Sequence, residues 1–176
     1  MTRRYSMKLP ALVTMLLYSV LCRGQAVQVS QAKNGVLLSV SAQKPYQLLT
    51  QEQKLPTLSV QCTKKGKKTL HLLLFSPEGE LGQDPAQTAA GGVQAFTVTI
   101  GNSKQMTVWA PYGEGPTVAY VAKTEADRIR FIQSLLSAGT ISIQFTPFLT
   151  GTPATSVFDL SKLSQVMDQH PECALK

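Results

Sequence analysis

The stretch "LSVQCTKKGKKTLHLLLF", residues 58–75, decides the class of fold. Strict alternation puts Leu58, Val60 and Cys62 on one face of an extended strand. "TKKGKK", residues 63–68, reads as a charged turn, and "TLHLLLF", residues 69–75, is a nearly continuous apolar run suited to a central strand. A connection this short leaves no room for a helical crossover, so the two strands pair antiparallel.

The same reading extends in both directions. Upstream, "VQVSQA" and "VLLSVSA" flank Asn34-Gly35, a strong two-residue hairpin signal. Residues 43–56, "QKPYQLLTQEQKLP", read as a polar connection with one helical turn at most. Downstream, residues 76–92 are rich in turn formers and small residues and read as the longest exposed loop. "VQAFTVTI" then places Phe96, Val98 and Ile100 on one face, "GNSK" turns the chain, and "QMTVWA" follows as the paired strand. "PYGEGP" is a second loop and "TVAYVA" another strand.

Thr124 reads as the cap of an amphipathic helix over residues 125–138, which Gly139 ends. Ile129, Ile132, Leu135 and Leu136 form its apolar stripe. The strand "TISIQFTPF" comes next, and Asp159 is expected to cap a last helix with Leu160, Leu163, Val166 and Met167 on its inner face. His170 falls in the last turn expected of that helix. About eight short strands with one helix inserted and one appended define a mainly β domain. The expected architecture is an antiparallel β-sandwich or open barrel. No repeat of fixed period argues for a solenoid or propeller.

The amino terminus reads differently. Arg3, Arg4 and Lys8 precede an uncharged apolar run from Leu9 to Cys22, and Gly24-Gln25-Ala26 supplies a small-x-small cleavage site. Residues 1–26 are therefore expected to be a secretory signal peptide cut near Ala26, leaving residues 27–176 as a single periplasmic or secreted β-rich domain. "TRRYSMK" only partly fits the twin-arginine pattern, since Ser6 stands where a large apolar residue is wanted, so the general export route is favoured.

The whole chain carries 17 basic and 10 acidic residues, a net charge of +7. Arg3, Arg4, Lys8 and Arg23 lie in the leader, so the remaining domain has 13 basic residues and a net charge of +3. That removes most of the electrostatic support for nucleic-acid binding. Cys22 leaves with the leader too. An even pair in an exported chain, Cys62 and Cys173, reads as one disulfide fastening the carboxyl-terminal helix to an early strand.

Little else carries chemistry. His71 and His170 lie far apart, and neither has a Cys, Asp or Glu at metal-ligand spacing, so no metal or cofactor is expected. No G-x-S-x-G elbow nominates a catalytic serine. Asp159 is accounted for by a capping role. Lys64, Lys65, Lys67 and Lys68 are most simply a solvated hairpin turn, with peripheral contact to an anionic envelope surface as the functional alternative. Trp109, Tyr112 and Tyr120 cluster around "WAPYGEGP", where a loop leaves a hairpin, and are the leading candidates for ligand or partner binding.

A cysteine-ending strand, a Trp-bearing hairpin, an amphipathic helix, a strand ending in "TPF" and the closing "VFDLSKLSQVM…HPEC" occur in an order that resembles a known family. It is that of the exported VasI/TagO-like accessory proteins associated with bacterial type VI secretion. Phe158, Asp159, Leu160, Ser161 and Leu163 match the family's closing segment, while Lys162 stands where glycine is usual. The resemblance implies a non-enzymatic periplasmic role and carries over no catalytic residue. Three functions are thus in view. They are an envelope interaction module with a protein partner, a small-ligand or glycan binder using the aromatic loop, and, least favoured, a cryptic hydrolase built on His71 or His170.

Overall fold

The computed structural model describes residues 26–32, 34–47, 53–66, 68–77, 92–113, 115–146 and 151–175. The expected signal peptide up to Gln25, most of the loop expected over 76–92, and Lys67 lie outside the described residues.

Nine strands form one antiparallel sheet that curls into an open half-barrel, in the order β1-β2-β5-β6-β9-β8-β7-β10-β11. These are β1 (Gln28–Ala32), β2 (Gly35–Ser41), β5 (Thr57–Lys65), β6 (Lys68–Ser76), β7 (Gln94–Ile100), β8 (Ser103–Pro111), β9 (Val118–Tyr120), β10 (Thr140–Phe145) and β11 (Ala154–Asp159). Helix α1 spans Glu125–Ala138, helix α2 spans Leu163–Asp168, and a 3-10 turn covers Pro171–Cys173. The fold is the open-barrel form of the expected mainly β class.

The pairing register carries the alternation read from sequence into one core. Val36, Leu38 and Val40 stand opposite Cys62, Val60 and Leu58, which in turn stand opposite His71, Leu73 and Phe75. All nine side chains are buried on the inner face. Phe96, Val98, Trp109, Ile141, Ile143, Phe145 and Phe158 continue that layer, and Phe131, Ile132 and Leu135 of α1 close over it. Phe75 is the hub, meeting Phe96, Phe145, Phe158 and Trp109 edge-on at 5.2–6.3 Å. Such T-shaped contacts add about 0.5–1.5 kcal/mol each beyond area burial.

Several local expectations need correction. The hairpin turns are tighter than read: β5 and β6 run through the lysines to pair Lys65 with Lys68. Ala32 pairs with Gly35, so Asn34, at φ 62°, takes the left-handed turn position and Gly35 belongs to the strand. The connection over 43–56 contains a small hairpin of β3 (Tyr46–Gln47) and β4 (Gln53–Lys54) rather than a helical turn. Val157-Phe158 belongs to a full strand, β11, paired along all of β10.

In α1 the buried residues are Phe131, Ile132 and Leu135, while Ile129 and Leu136 are half-buried. The stripe is rotated because Phe131 turns inward to meet Tyr120, their rings 4.3 Å apart. Thr124 does cap α1, its hydroxyl accepting the Asp127 N–H. Asp159 caps no helix: it ends β11, and its carboxylate accepts the Ser161 N–H at 3.0 Å, making a turn that precedes α2. Lys162 takes the N-cap position of α2 without a side-chain hydrogen bond. His170 lies beyond α2, between it and the 3-10 turn.

Cys173 in that turn is bonded to Cys62 at the centre of the inner face, with Cα atoms 5.2 Å apart and both residues fully buried. The disulfide read from sequence is present and fastens the carboxyl-terminal segment across β5. Among the described residues no helix is long and apolar enough to cross a membrane.

Gly35 is required by a close approach. A Cβ there would lie 1.8 Å from the Cys62 carbonyl oxygen, beside the disulfide. Gly35→Ala must therefore part β2 from β5, and we expect a loss of about 1–3 kcal/mol from overpacking in urea unfolding. Asn34→Gly, which suits the same left-handed turn, should be close to neutral.

Candidate functional site

Strand lengths create the site. β9 has only three residues, so it pairs β6 at Leu74 and Phe75 alone and β8 from Trp109 to Pro111 alone. Its end is fixed by sequence: Thr124 must cap α1 only four residues after Tyr120. Beyond β9 the sheet splits, and residues 68–73 of β6 and 103–108 of β8 face a gap with no strand between them among the described residues.

Helix α1 serves the β6 side of this gap. The His71 N–H donates to Glu125 Oε1 at 3.0 Å, and Arg128 Nη1 donates to the His71 carbonyl at 3.3 Å. Glu125 and Arg128 also pair with each other. Two helical side chains thus replace the missing strand at His71, whose own ring is buried with Nδ1 3.4 Å from Glu125 Oε1.

Among the described residues the β8 side has no such cover. The Val121 N–H donates to the Val108 carbonyl at 2.8 Å, marking Val108 as a residue whose main chain faces away from β7. By the alternation of an antiparallel strand, the amide and carbonyl of Met106 and Lys104 point the same way. Among the described residues no strand pairs with them on that side. Beside this edge runs a groove of about 480 Å³. Gln105 to Val108, Tyr120 and Val121 form one wall, and Lys123, Asp127, Arg130, Phe131 and Ser134 the other. Met106 is 78% exposed, Val108 41% and Val121 44%.

Charge in the groove is one-sided. Asp127 is held below the ordinary carboxylate range, first by the Thr124 hydroxyl and then by Arg130, whose Nη2 lies 2.5 Å from its Oδ1. Lys123 and, at the edge itself, Lys104 are exposed. Burial raises the Tyr120 phenol above its ordinary value, with Asp127 adding to the effect.

The three candidate aromatics do not share a surface. Trp109 is fully buried, and its Nε1–H donates to Thr107 Oγ1 at 2.7 Å, which itself donates to the Phe96 carbonyl. It belongs to the core, not to a binding loop, because its position alternates with the exposed Met106 and Val108. Tyr112 lies on the outer face, donating to Gln61 Oε1 at 3.1 Å beside a hollow of about 360 Å³. Ser39, Ser59, Ser76 and Thr117 are among its lining hydroxyls. Only Tyr120 joins the groove. Lys64, Lys65 and Lys68 are exposed at the tip of the β5–β6 hairpin.

Lys104, Met106, Val108, Val121 and Lys123 were not singled out from sequence. The available signal was a length mismatch, a nine-residue strand ending at Pro111 against a partner cut short by the Thr124 cap. Met106 and Val108, apolar on the face opposite Trp109, marked the same place.

Protonation has a second consequence at the sheet's end. Asp159 is lowered chiefly by hydrogen bonds from Ser161, and Glu172 chiefly by its own backbone N–H. With Asp127, all three are depressed in the folded state. Each therefore contributes stability that is full above its unfolded pKa and is lost as pH falls through the folded value. The contribution of these three carboxylates should stay level from neutral pH to about pH 5 and then decline. Asp159→Asn should make that decline shallower by removing Asp159's share of the neutral-pH stability, as followed by urea unfolding across pH.

Among the described residues no three His, Cys, Asp or Glu side chains gather as a metal-binding group. No family model, curated protein or solved structure matches the chain.

Proposed function

We propose that this protein is an exported, non-enzymatic interaction module of the bacterial cell envelope. It takes an extended peptide segment of a protein partner as an added strand along β8. One observation carries the reading: the main-chain groups of Lys104 and Met106 face a gap with no strand beside them among the described residues, next to a groove walled by α1. Strand addition uses such an edge for affinity and adjoining side-chain pockets for specificity. Apolar residues of the partner meet Met106, Val108 and Val121. An acidic residue meets Lys104 or Lys123, since Asp127 is already engaged by Thr124 and Arg130.

The buried disulfide suits an oxidising compartment such as the periplasm. The closing segment's resemblance to VasI/TagO-like accessory proteins supports an accessory role. Glycan binding is the second reading, supported by the uncharged, hydroxyl-lined hollow beside Tyr112. It is ranked lower because Trp109, the ring best suited to stack on a sugar, is in the core.

The test uses a display library of linear peptides selected against the oxidised protein. The expected result is enrichment of apolar peptides bearing an acidic residue that shift the Lys104 and Met106 amide resonances. Met106→Pro removes an outward N–H without removing a bond to β7, and should weaken binding at least tenfold. Peptides that bind elsewhere, or bind Met106→Pro unchanged, contradict the proposal.

A further inference from the structure

The sheet has two ends, and they differ. At the β11 end the Gln43 N–H donates to the Val157 carbonyl at 2.8 Å, so the strand is partly covered. At the β1 end no strand among the described residues lies outside Gln28–Ala32, and four of its five residues are exposed. Natural edge strands are usually protected by charge, proline or a bulge. β1, "QVSQA", has no charge and no proline, and pairs β2 residue for residue with no bulge.

The direction of its main chain follows from the neighbouring pairs. The Lys64 N–H donates to the Asn34 carbonyl at 2.9 Å, so with the β2–β5 register Val36 and Leu38 turn their main chain toward β5. Gly35, Leu37 and Ser39 then turn toward β1, where they stand opposite Ala32, Ser30 and Gln28. The amides and carbonyls of Val29 and Gln31 consequently point outward. Val29 is also 48% exposed.

We propose that β1 pairs with β1 of a second copy of this chain, antiparallel about a two-fold axis at Ser30. In that register Val29 faces Gln31 of the second copy and Gln31 faces its Val29, so the outward donors and acceptors of both strands are satisfied reciprocally. Ser30 faces Ser30 of the second copy as a non-hydrogen-bonded pair. An isologous pairing sets identical neighbourhoods against each other, which would oppose like charges in a charged strand. β1 has none. The contact consumes the β1 edge of each copy and closes, and its small area makes the dimer weak and concentration-dependent. The β8 groove lies elsewhere in the sheet, so this inference stands apart from the peptide-binding reading.

The test measures the mass of the oxidised protein by light scattering across concentration, with two kinds of variant. A doubling of mass at high concentration is expected, and Val29→Pro should abolish it, because the lost N–H points away from β2. Ser30→Cys should cross-link to itself under mild oxidation at least tenfold faster than Gln28→Cys. The reason is that Cα atoms of a non-hydrogen-bonded pair lie about 4.5 Å apart, within disulfide range. A monomer at all concentrations, a dimer untouched by Val29→Pro, or equal cross-linking of the two cysteine variants would each overturn the proposal.

Discussion

Removing the disulfide with the paired changes Cys62→Ala and Cys173→Ala should lower the unfolding free energy by about 2–5 kcal/mol. The bridge spans 111 positions of sequence, so its loss frees a long stretch of the unfolded chain. In the chain-entropy account a loop of this length approaches the upper end of that range. Packing adds to the effect, since Cys173 is fully buried against a sheet whose inner face it helps to close. Without the bond, α2 is held by Leu163 and Met167 and by the Leu160 N–H to the Gly139 carbonyl at 2.6 Å. Six helical residues cannot sustain themselves in water, so the closing segment should loosen before the sheet does. The midpoint should fall by roughly 10 °C on reduction, with far-UV β signal largely retained at room temperature. An unchanged midpoint in the paired variant would show that the bridge adds nothing to the packed sheet.

Trp109→Ala should cost about 3–5 kcal/mol, the range for deleting a large aromatic from a core. Trp109 is fully buried and packs its ring against Phe75, Phe96 and Tyr120 at 5.7–6.3 Å. Its deletion opens a cavity among Phe75, Phe96 and Tyr120, where the short β9 meets β8. Against a typical total of about 5–15 kcal/mol, that loss leaves a marginal fold. Trp109→Phe keeps most of the volume and should cost about half as much, since Thr107 retains its bond to the Phe96 carbonyl. Urea unfolding followed by circular dichroism measures both. A cost for Trp109→Ala below about 1 kcal/mol would place the ring outside the core.

Much of this architecture is written in alternation. Leu58, Val60 and Cys62, or Phe96 and Val98, read as inward positions because a strand's period is two, and the structure puts them there. The disulfide was legible because only Cys62 and Cys173 remain once the expected leader, with Cys22, is set aside. Strand order was not legible, since antiparallel pairing constrains neighbours in sequence but does not say that β9 returns beside β6. The candidate site was hidden for the same reason. Trp109, Tyr112 and Tyr120 look alike as a list of rings, but each side of a strand has a different fate. The first is core, the second lies on the outer face, and only the third reaches the groove. Met106 and Lys104 matter through backbone groups, which carry no residue-type signal at all. Asp159 was misplaced by a local ambiguity, because an aspartate before a helix can serve either the helix or the turn that precedes it.

The most direct measurement is amide hydrogen exchange along β8, resolved residue by residue by NMR on the oxidised protein. The amides of Gln105 and Thr107 face β7 and should be protected, while those of Lys104 and Met106, facing the gap, should exchange far faster. That alternating pattern would establish an open strand edge beside α1, ready to accept a peptide. Uniform protection from Lys104 to Thr107 would mean the edge is already satisfied, and strand addition at β8 would be refuted.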